Sequence, residues 1–243
     1  MSNKPIYVYI GFDPREAAAF AVARESIRNF DRHLRVEGVV LSRLRAAGLY
    51  IRPTEVRLGK LWDVISDAHM STEFAISRFF VPELMRRRDH HGWALFMDCD
   101  VLVRANINQL RPYLDDSKAV CCVKHEYIPT NDIKMDGQIQ SAYPRKNWSS
   151  VMAINVDHPA NDALNLRMVN SLPGRDLHAF WWITDDKIGE LPPEWNYIPG
   201  HTKLPEDTYP RLVHYTDGGP WLPQFRNVEY AEEWLTEFEQ WAA

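Results

Sequence analysis

Cysteine is scarce in this chain, and long apolar runs are missing. Of its 243 residues only three are cysteines, at positions 99, 121 and 122. An odd number with two adjacent excludes a disulfide framework and lacks the spacing of a metal knuckle. All three have apolar neighbours, so they are expected as buried free thiols in a reducing compartment. No stretch approaches the ~20 apolar residues that a spanning helix needs. The opening "MSNKPIYVYIGFDPRE" is neither a secretion signal nor an anchor. The expectation is a cytoplasmic chain with no transmembrane segment. An excess of basic charge is also missing. The net charge of −5 and pI of about 6.0 argue against a nucleic-acid partner, which calls for a basic face. The one basic cluster, Arg86 to Arg88, falls near the end of an expected helix, where the macrodipole favours cations.

What is present fits one large soluble domain, 1–243, with 45% hydrophobic and 25% charged residues. Ile6 to Ile10 read as a buried strand that ends at Gly11. Asp13, Pro14 and Glu16 then read as helix cap, first helical residue and capping-box partner, with a helix over 17–30. Further strands are expected over 34–41, 94–103, 119–126 and 149–159. Helices are expected over 71–88 (kinked at Pro82), 161–172, 176–191 and 229–243. Residues 43–70 carry no clear period. Strands alternating with helices predict an α/β fold, a mixed, mostly parallel sheet flanked by helices.

The segment "ALFMDCDVLV", 94–103, places two acids inside an apolar run. Side chains alternate along a strand, so Asp98 and Asp100 project to one side. Two close carboxylates without partners are costly to bury. The strand is therefore expected to end there, at the carboxyl edge where open α/β sheets bind ligands. A hard divalent cation, Mg²⁺ or Mn²⁺, would relieve the repulsion and share coordination with substrate phosphates. The plainer alternative is that both acids simply cap a turn. A second meeting of acids and aromatics is "WWITDDKIG", where Asp185 or Asp186 could be functional carboxylates. Its alternative is a solvated helix end beside Lys187. Of the adjacent Trp181 and Trp182 at least one should be core, since neighbours on a helix point about 100° apart.

With these residues in view, the sequence resembles GT-A-fold glycosyltransferases of family 8, the bacterial α-galactosyltransferase and glycogenin type. The likeness rests on "MDCDVLV", on the loop "IGFDPRE", on Arg78 in "AISRFFVPEL", on "WSSVMAIN" and on "HYTDGGPW", in that family's order, over residues 5–222. It implies a Rossmann-like GT-A domain with a donor-binding half, about 1–125, and an acceptor-side half, about 126–243. It implies a hexosyltransferase that moves a sugar from a nucleotide donor, a UDP-sugar, to a hydroxyl with retention of configuration. Asp98, Asp100 and His214 would hold Mn²⁺ or Mg²⁺. Asp98 would also touch the nucleotide. Gly11, Phe12 and Asp13 would cradle base and ribose, Arg78 would reach the donor phosphate or sugar, and Asp185 would be the carboxylate near the reacting carbon, with Asp186 beside it.

The departures from that pattern matter. Trp148, Ser149 and Ser150 stand where the family has Asn-Ala-Gly, and Gly219 stands where it has a lysine before Pro-Trp. Lys203, or the backbone amides of Gly218 and Gly219, are candidates to replace that cation. The family's Asp-Gln-Asp is matched only loosely by Thr184, Asp185 and Asp186. An acceptor glycan, lipid-linked glycan or protein is left open, with a modified nucleobase disfavoured by the acidic balance. Two rivals stay beside this expectation. One is a sugar-nucleotide- or glycan-binding module without catalysis. The other is a haloacid-dehalogenase-like phosphatase, whose Asp-x-Asp normally continues with Thr or Val where this chain has Leu102.

Overall fold

The structure, a computed structural model, describes residues 2–126 and 145–242. Strand β1 (Ile6–Phe12) leads through the turn Pro14–Glu16 into α1 (Ala17–Arg28), then β2 (Val36–Val40) and α2 (Leu41–Ala46). The unassigned stretch forms a small antiparallel sheet, β3 (Thr54–Arg57), β4 (Lys60–Asp63) and β5 (Ala68–His69). Its base is tied to the body by Arg52, whose guanidinium pairs with buried Asp63 and donates to the carbonyls of Val169 and Leu172 at 2.7 Å each.

Next come α3 (Phe74–Ser77), one 3-10 turn Arg78–Phe80, and α4 (Val81–Arg86). Pro82 does not kink a continuous helix here. It lies in the first turn of α4, where its missing N–H is an orphan anyway. Strands β6 (Trp93–Met97), β7 (Val101–Val103), β8 (Val120–Cys122) and β9 (Val151–Asn155) follow, then α5 (Leu166–Val169) and α6 (Gly174–His178). The chain ends with β10 (Ile188–Glu190), β11 (Leu212–His214) and α7 (Ala231–Ala242).

Among the described residues the main sheet has six strands in the order β10-β8-β9-β6-β1-β2. Only β9 runs against the others. The expected mixed, mostly parallel sheet is therefore present. Every residue of β6 is fully buried, which explains its unbroken apolar run. Burying a side chain of this kind stabilises by about 1.5–3 kcal/mol. All three cysteines are buried free thiols. Among the described residues no helix is long and apolar enough to cross a membrane.

Two expected helices are shorter than their sequence pattern. Over 161–172 only α5 is α-helical, capped by Asn165 and preceded by a 3-10 turn, Pro159–Ala163. Over 176–191 the helix stops at His178, because Phe180 adopts φ +55° and turns the chain. That turn buries Phe180 completely, leaves Trp181 72% exposed, and directs Trp182 inward to donate to Asn161 Oδ1 at 2.9 Å. Residues 188–190 then pair with β8 as an edge strand. Core burial and strand pairing override the helical period.

Candidate active site

Three chain segments reach one point because their strands share register. Ile10 of β1 lies opposite Met97 of β6, so residues 13–16 and 98–100 leave the sheet together. Met97 also faces Val151 of β9, and Asp98 N–H donates to Ser150 C=O at 2.8 Å, which brings residues 147–150 to the same edge. The chain leaves the main sheet at the acids and restarts as β7, which pairs with β11 instead. There His214 lies opposite Val101, next to Asp100.

One ligand atom each from Asp98, Asp100 and His214 lies within 4.8 Å of the others. The three residues come from different strand ends, so only the fold brings the histidine to the acids. Its tautomer is set by a neighbour that the sequence reading missed. The amide nitrogen of buried Asn196 donates to Ser150 Oγ at 3.0 Å and toward Asn147 C=O at 3.4 Å. Its oxygen therefore faces His214 Nδ1 at 3.0 Å and accepts from it. That leaves Nε2, the atom 3.4 Å from Asp100 Oδ1, as the ring nitrogen with a lone pair that could take a metal. Nε2 is buried and has no hydrogen-bond partner among the described residues.

The electrostatics are strained. Burial raises the Asp98 carboxyl to about 6, against the opposing charge of Arg78 and with Asp100 adding to the rise. Burial pulls His214 down, yet the charges of Asp100 and Asp98 outweigh it and lift its pKa above the ordinary value. A third acid shares the cluster. Glu16 is raised to about 7 by burial and by Asp100, and it accepts the Cys99 thiol at 3.2 Å. Burial and these carboxylates push the Cys99 thiol well up, so it is a proton donor here and no nucleophile. The expected capping box does not form, because Glu16 points into the site. Asp13 does cap the turn, accepting from Arg15 N–H at 2.9 Å and from Glu73 N–H at 3.0 Å.

A cavity of about 370 Å³ opens over the three acids, with buried His214 outside its lining. Its floor includes Glu16, Asp98, Asp100 and Arg78. Arg78 lies 2.8 Å from Asp98 Oδ1, donates to Ser149 C=O at 2.8 Å and stands over the Phe96 ring. One wall carries Arg15, Ser71 and Thr72, another Asn147, Ser149 and His178, and a third Thr216, Trp221 and Gln224.

Several expected residues stand outside that lining. Gly11 is covered by Phe74, whose ring would lie 2.4 Å from a Cβ at that position. Phe12 packs edge-on against Phe20, and Asp13 is buried by its own hydrogen bonds. Arg15 and Glu16, just after them, face the cavity instead. Gly218 holds φ +142°, and a Cβ on Gly219 would sit 1.8 Å from the Trp221 ring. Trp221 thus occupies the space a side chain at 219 would need. Lys203 is exposed and is not part of the lining. Trp195 is core, and Trp148 is half-buried against the Arg145 guanidinium. Asp185 and Asp186 lie on an exposed turn outside the lining. Asp185 pairs with Arg145, and Asp186 accepts from Thr184 and lies 3.1 Å from Lys187. The residue that this part of the chain contributes to the cavity is His178.

The same architecture is found in glycosyltransferases of GT-A fold. The chain superposes on the bifunctional glycosyltransferase WbbM with a TM-score of 0.61 at 19% identity, over 98% of this chain and 50% of that one. GlyE of Streptococcus pneumoniae TIGR4 gives a TM-score of 0.61 at 15% identity, over 99% of this chain and 62% of that one. The chain therefore spans half and somewhat under two thirds of these proteins. The galactosyltransferase LgtC, solved with donor and acceptor sugar analogues, gives 0.55 at 12% identity, over 96% of this chain and 95% of that one. At these identities the likeness is one of fold. No protein-family model matches the chain. It is 41% identical over 243 residues to Protein CDI of Arabidopsis thaliana, covering 98% of this chain and 88% of that protein. The chain belongs to the family of Protein CDI.

Proposed function

We propose that the protein is a metal-dependent glycosyltransferase that moves a hexose from a nucleotide donor, a UDP-sugar, to a hydroxyl acceptor with retention of configuration. The observation that carries this reading is the cluster of Asp98, Asp100 and His214 at the sheet edge, with Glu16 beside it. The cavity lining holds three carboxylates against the two guanidinium groups of Arg15 and Arg78. Such a site repels a diphosphate unless a cation joins it. The donor set, two carboxylates and an imidazole with a buried lone pair, fits Mn²⁺ or Mg²⁺. Bound there, the cation would supply Lewis-acid charge to the departing diphosphate.

The protein's own groups then have definable tasks. Asn196 holds His214 in its ligating tautomer. Arg78 neutralises part of the Asp98 charge and fixes that carboxylate against Ser149. Trp221 closes one wall and limits water. In the transfer, the bond from the anomeric carbon to the phosphate oxygen breaks and a bond to the acceptor oxygen forms. The acceptor's proton leaves with the nucleoside diphosphate or to solvent. Besides the two candidate ligands, Glu16 is the carboxylate of the described lining, and across from it the reacting carbon would be flanked by the polar wall of Asn147, Ser149 and His178.

The test is release of nucleoside diphosphate from a panel of UDP-, GDP- and CDP-sugars, with and without Mn²⁺. The expected result is slow Mn²⁺-dependent hydrolysis of a UDP-hexose. Mn²⁺-dependent binding without any turnover would instead favour a sugar-nucleotide-binding module. Absence of both would overturn the reading.

A further inference from the structure

Ser149 and His178 form a pair that the metal cluster does not use. Ser149 Oγ lies 2.7 Å from His178 Nδ1, and both residues line the cavity. Ser149 is buried, and its carbonyl is held by Arg78, which itself holds Asp98. The hydroxyl thus stands one residue removed from a metal ligand, in a fixed place. His178 is held as well. It ends α6, and the Phe79 ring packs against it with centroids 5.2 Å apart. The neighbouring chain carries two residues in the left-handed region, Arg145 at φ +62° and Asn147 at φ +64°. Both precede the segment that presents Ser149.

A serine hydroxyl offers one donor and two acceptor positions, and the bond to His178 uses one of these. What is left matches a single alcohol, which needs a donor or an acceptor at a fixed point. Sites built on such a contact reject analogues lacking the hydroxyl far better than apolar pockets reject an extra methylene.

We infer that the Ser149 hydroxyl binds one hydroxyl of the transferred sugar and sets which donor is accepted, with His178 as its positioning residue. This rests on the nucleotide-sugar reading above. The ligand class is a nucleotide-linked hexopyranose that carries a free hydroxyl at the recognised carbon.

The experiment compares binding of UDP and of UDP-hexoses in the presence of Mn²⁺, by calorimetry, for wild type, Ser149→Ala, His178→Ala and His178→Gln. UDP lacks the sugar and reports whether the metal site and the fold are intact. The expected result is unchanged UDP affinity in all four proteins. Ser149→Ala should weaken the preferred UDP-hexose about tenfold. One deoxy analogue of that donor should bind wild type and Ser149→Ala alike. His178→Ala should lose part of the discrimination, and His178→Gln, which keeps a hydrogen-bonding group at the same reach, should regain it. Equal weakening of UDP and UDP-hexose would show a structural role and overturn the inference. So would unchanged affinity for every donor. Wild type that binds neither UDP nor any UDP-hexose would overturn the nucleotide-sugar reading, and this inference with it.

Discussion

The chain contains two close acid pairs, and the fold treats them in opposite ways. Asp98 and Asp100 end a buried strand and share a cavity with Glu16, where burial raises the pKa of Asp98 and of Glu16. Asp185 and Asp186 lie on an exposed turn, each beside its own cation, and Asp186 is lowered by its Thr184 and Lys187 hydrogen bonds. One pair is drawn in beside Arg78 and His214, and the other stands in solvent beside Arg145 and Lys187. Acidic residues close in sequence say little. What separates the two pairs is whether the fold removes water from them.

Substitution should sharpen that contrast most. Asp98→Asn should reduce Mn²⁺-dependent nucleotide release on the order of 100-fold. Asp185→Asn and Asp186→Asn should leave it within about twofold, all three followed by the same diphosphate assay. A large loss in Asp185→Asn would place that residue at the reacting centre. Arg78→Ala tests the counter-charge. It strands Asp98 among buried groups and should cost about 3 kcal/mol of stability in a urea titration. A loss under about 0.5 kcal/mol would mean that water already reaches the carboxylate.

The pH dependence of the metal-free protein gives a smaller, signed effect. Asp98 and Glu16 have folded pKa values raised to about 6 and about 7. Above pH ~4.5 the native state therefore binds more protons than the unfolded chain, and stability falls as pH rises toward 7. His214, a base whose pKa is also raised, adds stability at low pH that is likewise lost as pH rises through its folded value. The expected decline is on the order of 2 kcal/mol, and saturating Mn²⁺ should remove most of it. Thermal melts across this range with and without the ion would show it, and a metal-independent slope would contradict it. An effect of similar size concerns Gly219. Gly219→Ala must displace the Trp221 ring and should cost about 1–3 kcal/mol, read by the same melts.

Much of this was legible from residues alone, for particular reasons. β6 announced itself because a doubly buried strand leaves an unbroken apolar run, and the acids marked its end. His214 entered through resemblance, since nothing in "LVH" distinguishes a ligand from a core histidine until β11 is laid against β7. Glu16 was hidden by a rival use, because Asp13-x-x-Glu16 has the spacing of a capping box. His178 was hidden inside a run whose period looks helical through Trp182, and Asn196 inside a short irregular piece. Nothing local in the sequence signals that Phe180 turns the chain there. That turn depends on packing from elsewhere, as does the pairing of residues 188–190 with β8.

The most direct measurement is a Mn²⁺ titration followed by electron paramagnetic resonance of the free ion, on wild type and Asp100→Ala. One saturable Mn²⁺ site in wild type that disappears in the variant is the expected result, and the variant should remain folded by circular dichroism. Equal Mn²⁺ binding by both proteins, or none by either in the presence of UDP, would contradict a cation site at the end of β6.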